Sequence, residues 1–294
     1  MTTTFDDLMA RVETGDRLPA DDVRALAQTP DILQLGMLAD ALRRRLRGTT
    51  VTYVRVARCA FDRSFADAVP PAAGEVRITG EPGSVAVAVA AVTSAKAVAG
   101  DRLVSGFTWP LVERLAESAG TVSDVLDRLH RAGLEAIELP LDRLGNAAEA
   151  IDRLVTAGFQ QLRLTIDKAT AAERIPLLIL AGELQDRFAC IQSLNPLPMT
   201  TNAMRPTTGY DDTKSVAIAR LAAPGIPVIQ VDWLRYGPKL AQVALTFGAD
   251  DLDEVSASDE SPDGRRRAPI EEVRRNIEAA GFAPAERDGR FARR

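Results

Sequence analysis

The sequence predicts an α/β fold: a parallel (β/α)8 barrel of the TIM type, preceded by a helical lead-in. Three observations predict it. Short β-branched runs alternate with amphipathic helical stretches, the pattern of a parallel sheet wrapped by helices. Eight such runs occur, and eight strands close most naturally into a barrel. The helices stop on "AG" or "FG" just before the next strand, the C-cap expected of βα units. A length of 294 residues suits one barrel domain. A doubly wound open sheet is the alternative.

In chain order, residues 1–48 read as a helical extension covering one end of the barrel, and 49–294 as the barrel domain. The strands are "VTYVRVAR" (51–58), "EVRITG" (75–80), "RLVSGF" (102–107), "EAIELP" (135–140), "QLRLTI" (161–166), "ACIQSL" (189–194), "PVIQVDW" (227–233) and "DDLDEV" (250–255). Between them, "TVSDVLDRLHRAG" places Val122, Val125, Leu126 and Leu129 on one helical face, with Gly133 as its cap. The stretches "AAEAIDRLVTAG", "AAERIPLLILAGELQDR", "YDDTKSVAIARLAA", "GPKLAQVALTFG" and "APIEEVRRNIEAAG" repeat the pattern. Residues 256–268, polar with Pro and Gly, read as a loop before the last helix.

Apolar residues make up 46% and charged residues 26%, values of a globular protein with a full core. The net charge of −5 gives no basic field for nucleic acid or an anionic membrane. Two basic runs, "RRRLR" (43–47) and "GRRRAP" (264–269), read as solvated faces. The two cysteines, Cys59 and Cys190, make no disulfide framework, which fits a reducing cytoplasm. "MTTTFDDLMARVETGD" has no apolar segment of a signal peptide, and "SVAVAVAAVTSAKAVA" is too short to span a bilayer.

Barrels of this kind carry their functional groups at the C-terminal ends of the strands. Those ends offer Arg58 and Cys59; Gly80, Glu81 and Pro82; Thr108 and Trp109; Pro140; Asp167 and Lys168; Asn195 and Pro196; Asp232, Trp233, Arg235 and Tyr236; and Glu254. The candidate ligand-binding residues are Glu81, Asp167, Asn195, Asp232 and Arg235, and no catalytic residue is assigned. The bland alternative is a filled mouth in which these residues are paired surface charges. The single histidine, His130, sits on a helix away from every strand end, so no triad can be built around it. There is no phosphate-binding glycine loop of the Walker or dinucleotide type, and no zinc-ligand cluster.

Several stretches resemble the radical S-adenosylmethionine enzymes of futalosine-dependent menaquinone biosynthesis. They are "LPADDVRALAQTPDILQLGMLADALRRRLRGTTVTYV" (18–54), "AGTVSDVLDRLHRAGLEAI" (119–137), "AGELQDRF" (181–188), "TGYDDTKSVAIARLAAPGIPVIQVDWLRYGPKLAQVALTFGADDLDEV" (208–255) and "EEVRRNIEAAGFAPAERDGRF" (271–291). Among those enzymes the likeness is greatest to aminofutalosine synthase; dehypoxanthine futalosine cyclase and the deazaflavin (FO) synthase subunits are related. The resemblance independently implies the barrel. The family places C-x3-C-x2-C after the first strand, where three thiolates hold a [4Fe–4S] cluster whose fourth iron chelates S-adenosylmethionine. Here "VTYVRVARCAFDRS" (51–64) keeps the strand and one cysteine, Cys59, and the loop with the other two is missing. Neither a cluster nor S-adenosylmethionine binding is therefore expected, no metal site is expected, and Cys59 reads as a structural remnant. Glu81 falls where the family's Gly-Gly-Glu-like element holds the methionine amino group. The expected role is a cluster-less paralogue in menaquinone biosynthesis, acting as a non-catalytic partner or ligand-holding subunit. An intact paralogue or a second copy of the chain is the expected partner, and a small polar metabolite the ligand. The alternative is a lyase, isomerase or transferase without radical chemistry, using Asp167, Lys168, Asp232, Arg235 and Glu254.

Overall fold

The computed structural model describes residues 4–65, 69–196, 204, 206–258 and 270–294. The chain enters through three helices, α1 (Phe5–Thr14), α2 (Ala20–Gln28) and α3 (Ile32–Arg47). The Thr4–Asp7 capping box starts α1, and the Asp31 carboxylate caps α3 by accepting from the N–H groups of Leu33 and Gln34. Then β1 (Thr50–Ala60), β2 (Glu75–Thr79), α4 (Val85–Ala99), β3 (Leu103–Thr108), α5 (Trp109–Ala119), α6 (Val122–Ala132) and β4 (Ala136–Pro140) follow. A short 3-10 turn precedes α7 (Ala147–Thr156), β5 (Leu162–Thr165), α8 (Ala171–Phe188), β6 (Ile191–Asn195), α9 (Gly209–Ala222), β7 (Val228–Asp232), α10 (Trp233–Leu245) and β8 (Asp251–Ser256). The last elements are α11 (Ile270–Ala279) and β9 (Ala283–Arg287).

Strands β1 to β8 pair in sequence order, every pair parallel, and β8 returns to β1, so the sheet closes into the expected barrel. The open-sheet alternative is excluded. The lead-in helices pack on the barrel's flank, α3 against α9 and α2 against α8 and α9. Here Gly36 passes so close to Phe247 that a Cβ would lie 2.9 Å from its ring. Among the described residues no helix is long and apolar enough to cross a membrane.

Three features depart from the sequence reading. First, "APAER" is a ninth strand. β1 pairs with β9 from Thr50↔Ala283 to Val54↔Arg287 and with β2 from Val56↔Glu75 to Ala60↔Thr79. Both lie on the side of β1 opposite β8, so β9 continues the sheet beneath β2, at the end where the strands begin. Second, α10 starts at Trp233 rather than at Gly237. Gly237 breaks it with a left-handed φ of 66°, ahead of Pro238, which has no N–H to continue the helix.

Third, the basic run at 43–47 is exposed from Arg44 to Arg47, as a solvated face would be, but Arg43 departs from it. Arg43 is fully buried, its guanidinium 3.8 Å from the centre of the Phe282 ring. Arg47 donates to the Pro227 carbonyl, and its side chain lies 3.4 Å from Asp250. These arginines close the lower end, where the strands begin. The other basic run, 264–269, lies outside the described residues, as does most of the expected 256–268 loop.

Candidate functional site

A parallel barrel usually fills its interior with branched apolar side chains. In this chain alternate positions carry polar groups instead: Glu75, Arg77 and Thr79 on β2, Arg163 and Thr165 on β5, Ser193 and Asn195 on β6, Gln230 and Asp232 on β7, and Asp251 and Asp253 on β8. With a period of two, each set shares one face of its strand. A cavity of about 620 Å³ opens at the C-terminal ends of the strands, lined by most of these groups together with Arg58, Ser105, Glu138 and Glu254.

Glu75 is the hub beneath the cavity. Its carboxylate accepts two hydrogen bonds from Arg163 at 2.8 and 2.9 Å, two from Arg77 at 2.7 and 2.9 Å, and one from Ser105 at 2.5 Å. Burial alone would raise its pKa, yet the Arg163 and Arg77 guanidiniums hold it below the usual carboxylate range. Arg77 also donates to both oxygens of Asp253, at 3.0 and 3.1 Å, and to Glu254 at 2.6 Å. Adjacent strand residues normally point to opposite faces. Glu254 escapes that rule through a left-handed backbone, φ 58°, which lets it share Arg77 with Asp253. Such a conformation at a non-glycine residue costs about 1–3 kcal/mol.

All five expected ligand-binding residues line this cavity. Asp232 caps α10, accepting from the Arg235 N–H at 2.9 Å, and pairs with the Arg235 side chain at 3.2 Å. Burial, and then the nearby Glu254 carboxylate, push Asp232 up to about 7. Asp167 faces Arg143 at 3.6 Å, in a loop whose N–H groups at Asp167, Lys168 and Ala169 all donate to the Asp142 carboxylate. Glu81 stands at the rim, its side chain 67% exposed and paired with Arg114 at 2.9 Å. Asn195 lies beside Thr165 at the mouth. The mouth is thus partly paired, as the bland alternative held, and still open.

Glu75, Arg77, Ser105, Glu138, Arg163 and Asp253 lie deeper than the strand ends and were not among the expected residues. Among the described residues Glu138, on β4, has no hydrogen-bond or ion-pair partner, and it lines the cavity. Burial, reinforced by Asp253 and Glu254 and opposed by Arg77, raises its pKa. Trp109, Trp233 and Tyr236 are core residues. His130 is half-buried against Phe159, at a ring separation of 5.0 Å, far from the mouth in sequence and fold.

Cys59 follows Arg58 on β1, and where Arg58 lines the cavity Cys59 is buried and does not. Burial pushes its thiol up to about 11. Cys190 precedes β6, at the lower end of the barrel. Among the described residues, no three His, Cys, Asp or Glu side chains are placed to hold a metal ion.

Residues 195–294 match the CofH/MqnC C-terminal region. That third of the chain supplies Asp232, Asp253 and Glu254 to the cavity. The chain is 38% identical over 132 residues to a 5-amino-6-(D-ribitylamino)uracil–L-tyrosine 4-hydroxyphenyl transferase of Archaeoglobus fulgidus, covering 40% of this chain and 38% of that one. It is 30% identical over 139 residues to an aminodeoxyfutalosine synthase of Thermus thermophilus, covering 42% and 37% respectively. The matches thus span under two-fifths of these relatives' lengths. Among solved structures, methylornithine synthase superposes with a TM-score of 0.68 at 16% identity, over 95% of this chain and 97% of that one. HydG, a maturase of the [FeFe]-hydrogenase, superposes with a TM-score of 0.65 at 12% identity, over 96% and 75%. At such identities these two likenesses concern the fold alone.

Proposed function

We propose that this chain is a cluster-less member of the CofH/MqnC lineage that serves menaquinone biosynthesis by the futalosine route. In this reading it works in the cytoplasm as a non-catalytic, ligand-holding partner of an intact relative or of a second copy of itself. The observation that carries it is the cysteine inventory. A [4Fe–4S] cluster open to S-adenosylmethionine needs three thiolates converging on one loop. This chain has two cysteines, at opposite ends of the barrel, and the one near the mouth is turned out of the cavity with its thiol kept protonated by burial. The residues present do not fit the cluster. What fills the mouth instead is a set of fixed charges suited to holding a small polar metabolite.

A second reading has one specific observation in its favour. Asp232, at about 7, could exchange a proton near neutral pH, as a non-radical lyase, isomerase or transferase would require. Native co-purification separates the two, with mass spectrometry of bound proteins and metabolites. The ligand-holding reading expects an intact family member or a second copy, and a metabolite recovered unchanged. A metabolite turned over by the isolated chain would favour the second reading. Release of 5′-deoxyadenosine from S-adenosylmethionine under dithionite would sink both.

A further inference from the structure

On the inner wall of the cavity carboxylates outnumber buried guanidiniums. Five carboxylates face it or lie just beneath it: Glu75, Glu138, Asp232, Asp253 and Glu254. The buried guanidiniums are those of Arg77 and Arg163, and their bonds go mainly to Glu75, Asp253 and one oxygen of Glu254. Arg58 and Arg235 lie farther out, with side chains 49% and 44% exposed. Two acceptors are left over. Glu254 is only 9% exposed; Arg77 bonds its Oε1, while its Oε2 accepts no hydrogen bond and pairs with Arg58 Nε at 3.5 Å. The Glu138 carboxylate, facing the cavity from β4, has no hydrogen-bond or ion-pair partner among the described residues.

We propose that this acidic wall, formed by Glu138, Asp232 and Glu254, is a subsite for the protonated primary amine of a small organic ligand. The inference rests on the reading of the mouth as a ligand-holding site and names the chemistry it would hold. A buried carboxylate oxygen without a hydrogen bond, as at Glu254 Oε2, is expensive, so the wall favours protons or a cation. A metal ion needs its oxygen ligands within about 2.0–2.6 Å, and no three acidic or cysteine or histidine side chains among the described residues are so placed. An ammonium on a carbon chain has three donors and can settle between acceptors that stand farther apart. The cavity, about 620 Å³, has room for the rest of such a molecule. The left-handed backbone at Glu254 fits the same purpose, since it aims a second acidic residue inward beside Asp253.

Calorimetry of the full chain with pentylamine, 1-pentanol and pentanoate tests the proposal, because the three probes differ chiefly in charge. Pentylamine should bind saturably, with the alcohol and the acid weaker by about tenfold or more, the size of one charge-assisted hydrogen bond. Glu138→Gln should cost pentylamine a similar factor and leave the alcohol unchanged; that side chain holds no other group, so the variant should fold. Pentylamine should also bind more tightly as pH rises from about 6 to 8, because the ligand displaces a proton from Asp232. Around Glu138 stand Arg77, Arg163, Asp253 and Glu254, and around Asp232 stand Glu254, Asp253 and Arg235; the arginines stay charged across this range. Equal binding of pentylamine and pentanol, no binding of any probe, or a Glu138→Gln variant with unchanged amine affinity would each overturn the amine subsite. None of these outcomes bears on whether the chain can carry a cluster, which iron analysis answers separately.

Discussion

The two ends of the barrel use the same residue types to opposite effect. At the lower end Asp251 accepts two hydrogen bonds from Arg287, at 2.5 and 2.7 Å, one from Thr52 at 2.5 Å and one from Gln230 at 2.8 Å. Asp250 receives Arg220 at 2.8 Å and the Ile229 N–H at 2.9 Å. Both carboxylates are hydrogen-bonded, although burial still raises the pKa of Asp250 and Nη1 of Arg220 has no hydrogen-bond partner. At the mouth, Asp232 and Glu138 are pushed toward their neutral forms, and Glu254 keeps an oxygen without a hydrogen bond. Satisfied charge locks a fold, whereas unsatisfied charge leaves an end ready for something to arrive.

The largest effect should come from breaking the locked end. Asp251→Ala strands a buried Arg287 and should cost about 3–5 kcal/mol in urea unfolding; a loss under 1 kcal/mol would mean the lower end is not locked by this pair. Next in size is the opposite pH response of two sets of carboxylates within the mouth. Glu75 and Asp253 are held below their usual range, despite burial, chiefly by Arg163 and Arg77 for the first and Arg77 for the second. They therefore contribute stability above the unfolded carboxylate pKa that is lost as acid protonates them. Asp232 is raised, so the folded state holds an extra proton between about 4 and 7, and stability falls as pH rises through that window. Asp232→Asn keeps an N-cap. It should match the wild type near pH 4 and exceed it above pH 7; parallel curves would contradict the assignment. A smaller effect is expected at Glu138→Gln, neutral or stabilising by up to about 1 kcal/mol at pH 7, because it removes a carboxylate that has no partner. The smallest is Arg235→Ala, whose half-exposed pair with Asp232 should contribute about 0–1 kcal/mol. A sharp drop in melting temperature there would move the rim into the locked class.

Much of this was readable from residues. The eight barrel strands were legible because β-branched runs alternate with capped helices, and their starts fall within two residues of expectation. β9 was not, because "APAER" lacks the β-branched residues of a strand and contains a proline; it is a strand only because β1, at eleven residues, extends below β2 and offers a free edge. The rim residues were legible from the rule that barrels work at their strand ends. The deeper charges were in plain view as E-x-R-x-T, R-x-T, Q-x-D and D-x-D within the strands, but a period-two polar face reads as solvent-facing unless closure of the sheet is imagined first. Glu254 could be placed at the end of its strand, yet the turn of its backbone into the barrel has no local signal, since nothing in "DDLDEVS" forecasts a left-handed glutamate. Likewise nothing in "RRRLR" marks Arg43 as the one buried residue of the run until Phe282, some 240 residues on, is seen to lie under it.

The proposed reading holds that this mouth carries no iron–sulfur cluster and is built from charged side chains instead. Iron and acid-labile sulfide per chain, measured with the absorption spectrum after anaerobic reconstitution, test it most directly. The expected result is a colourless protein with iron far below one atom per chain, because two cysteines at opposite ends cannot ligate a four-iron cluster. A brown protein with stoichiometric iron and sulfide would contradict the claim.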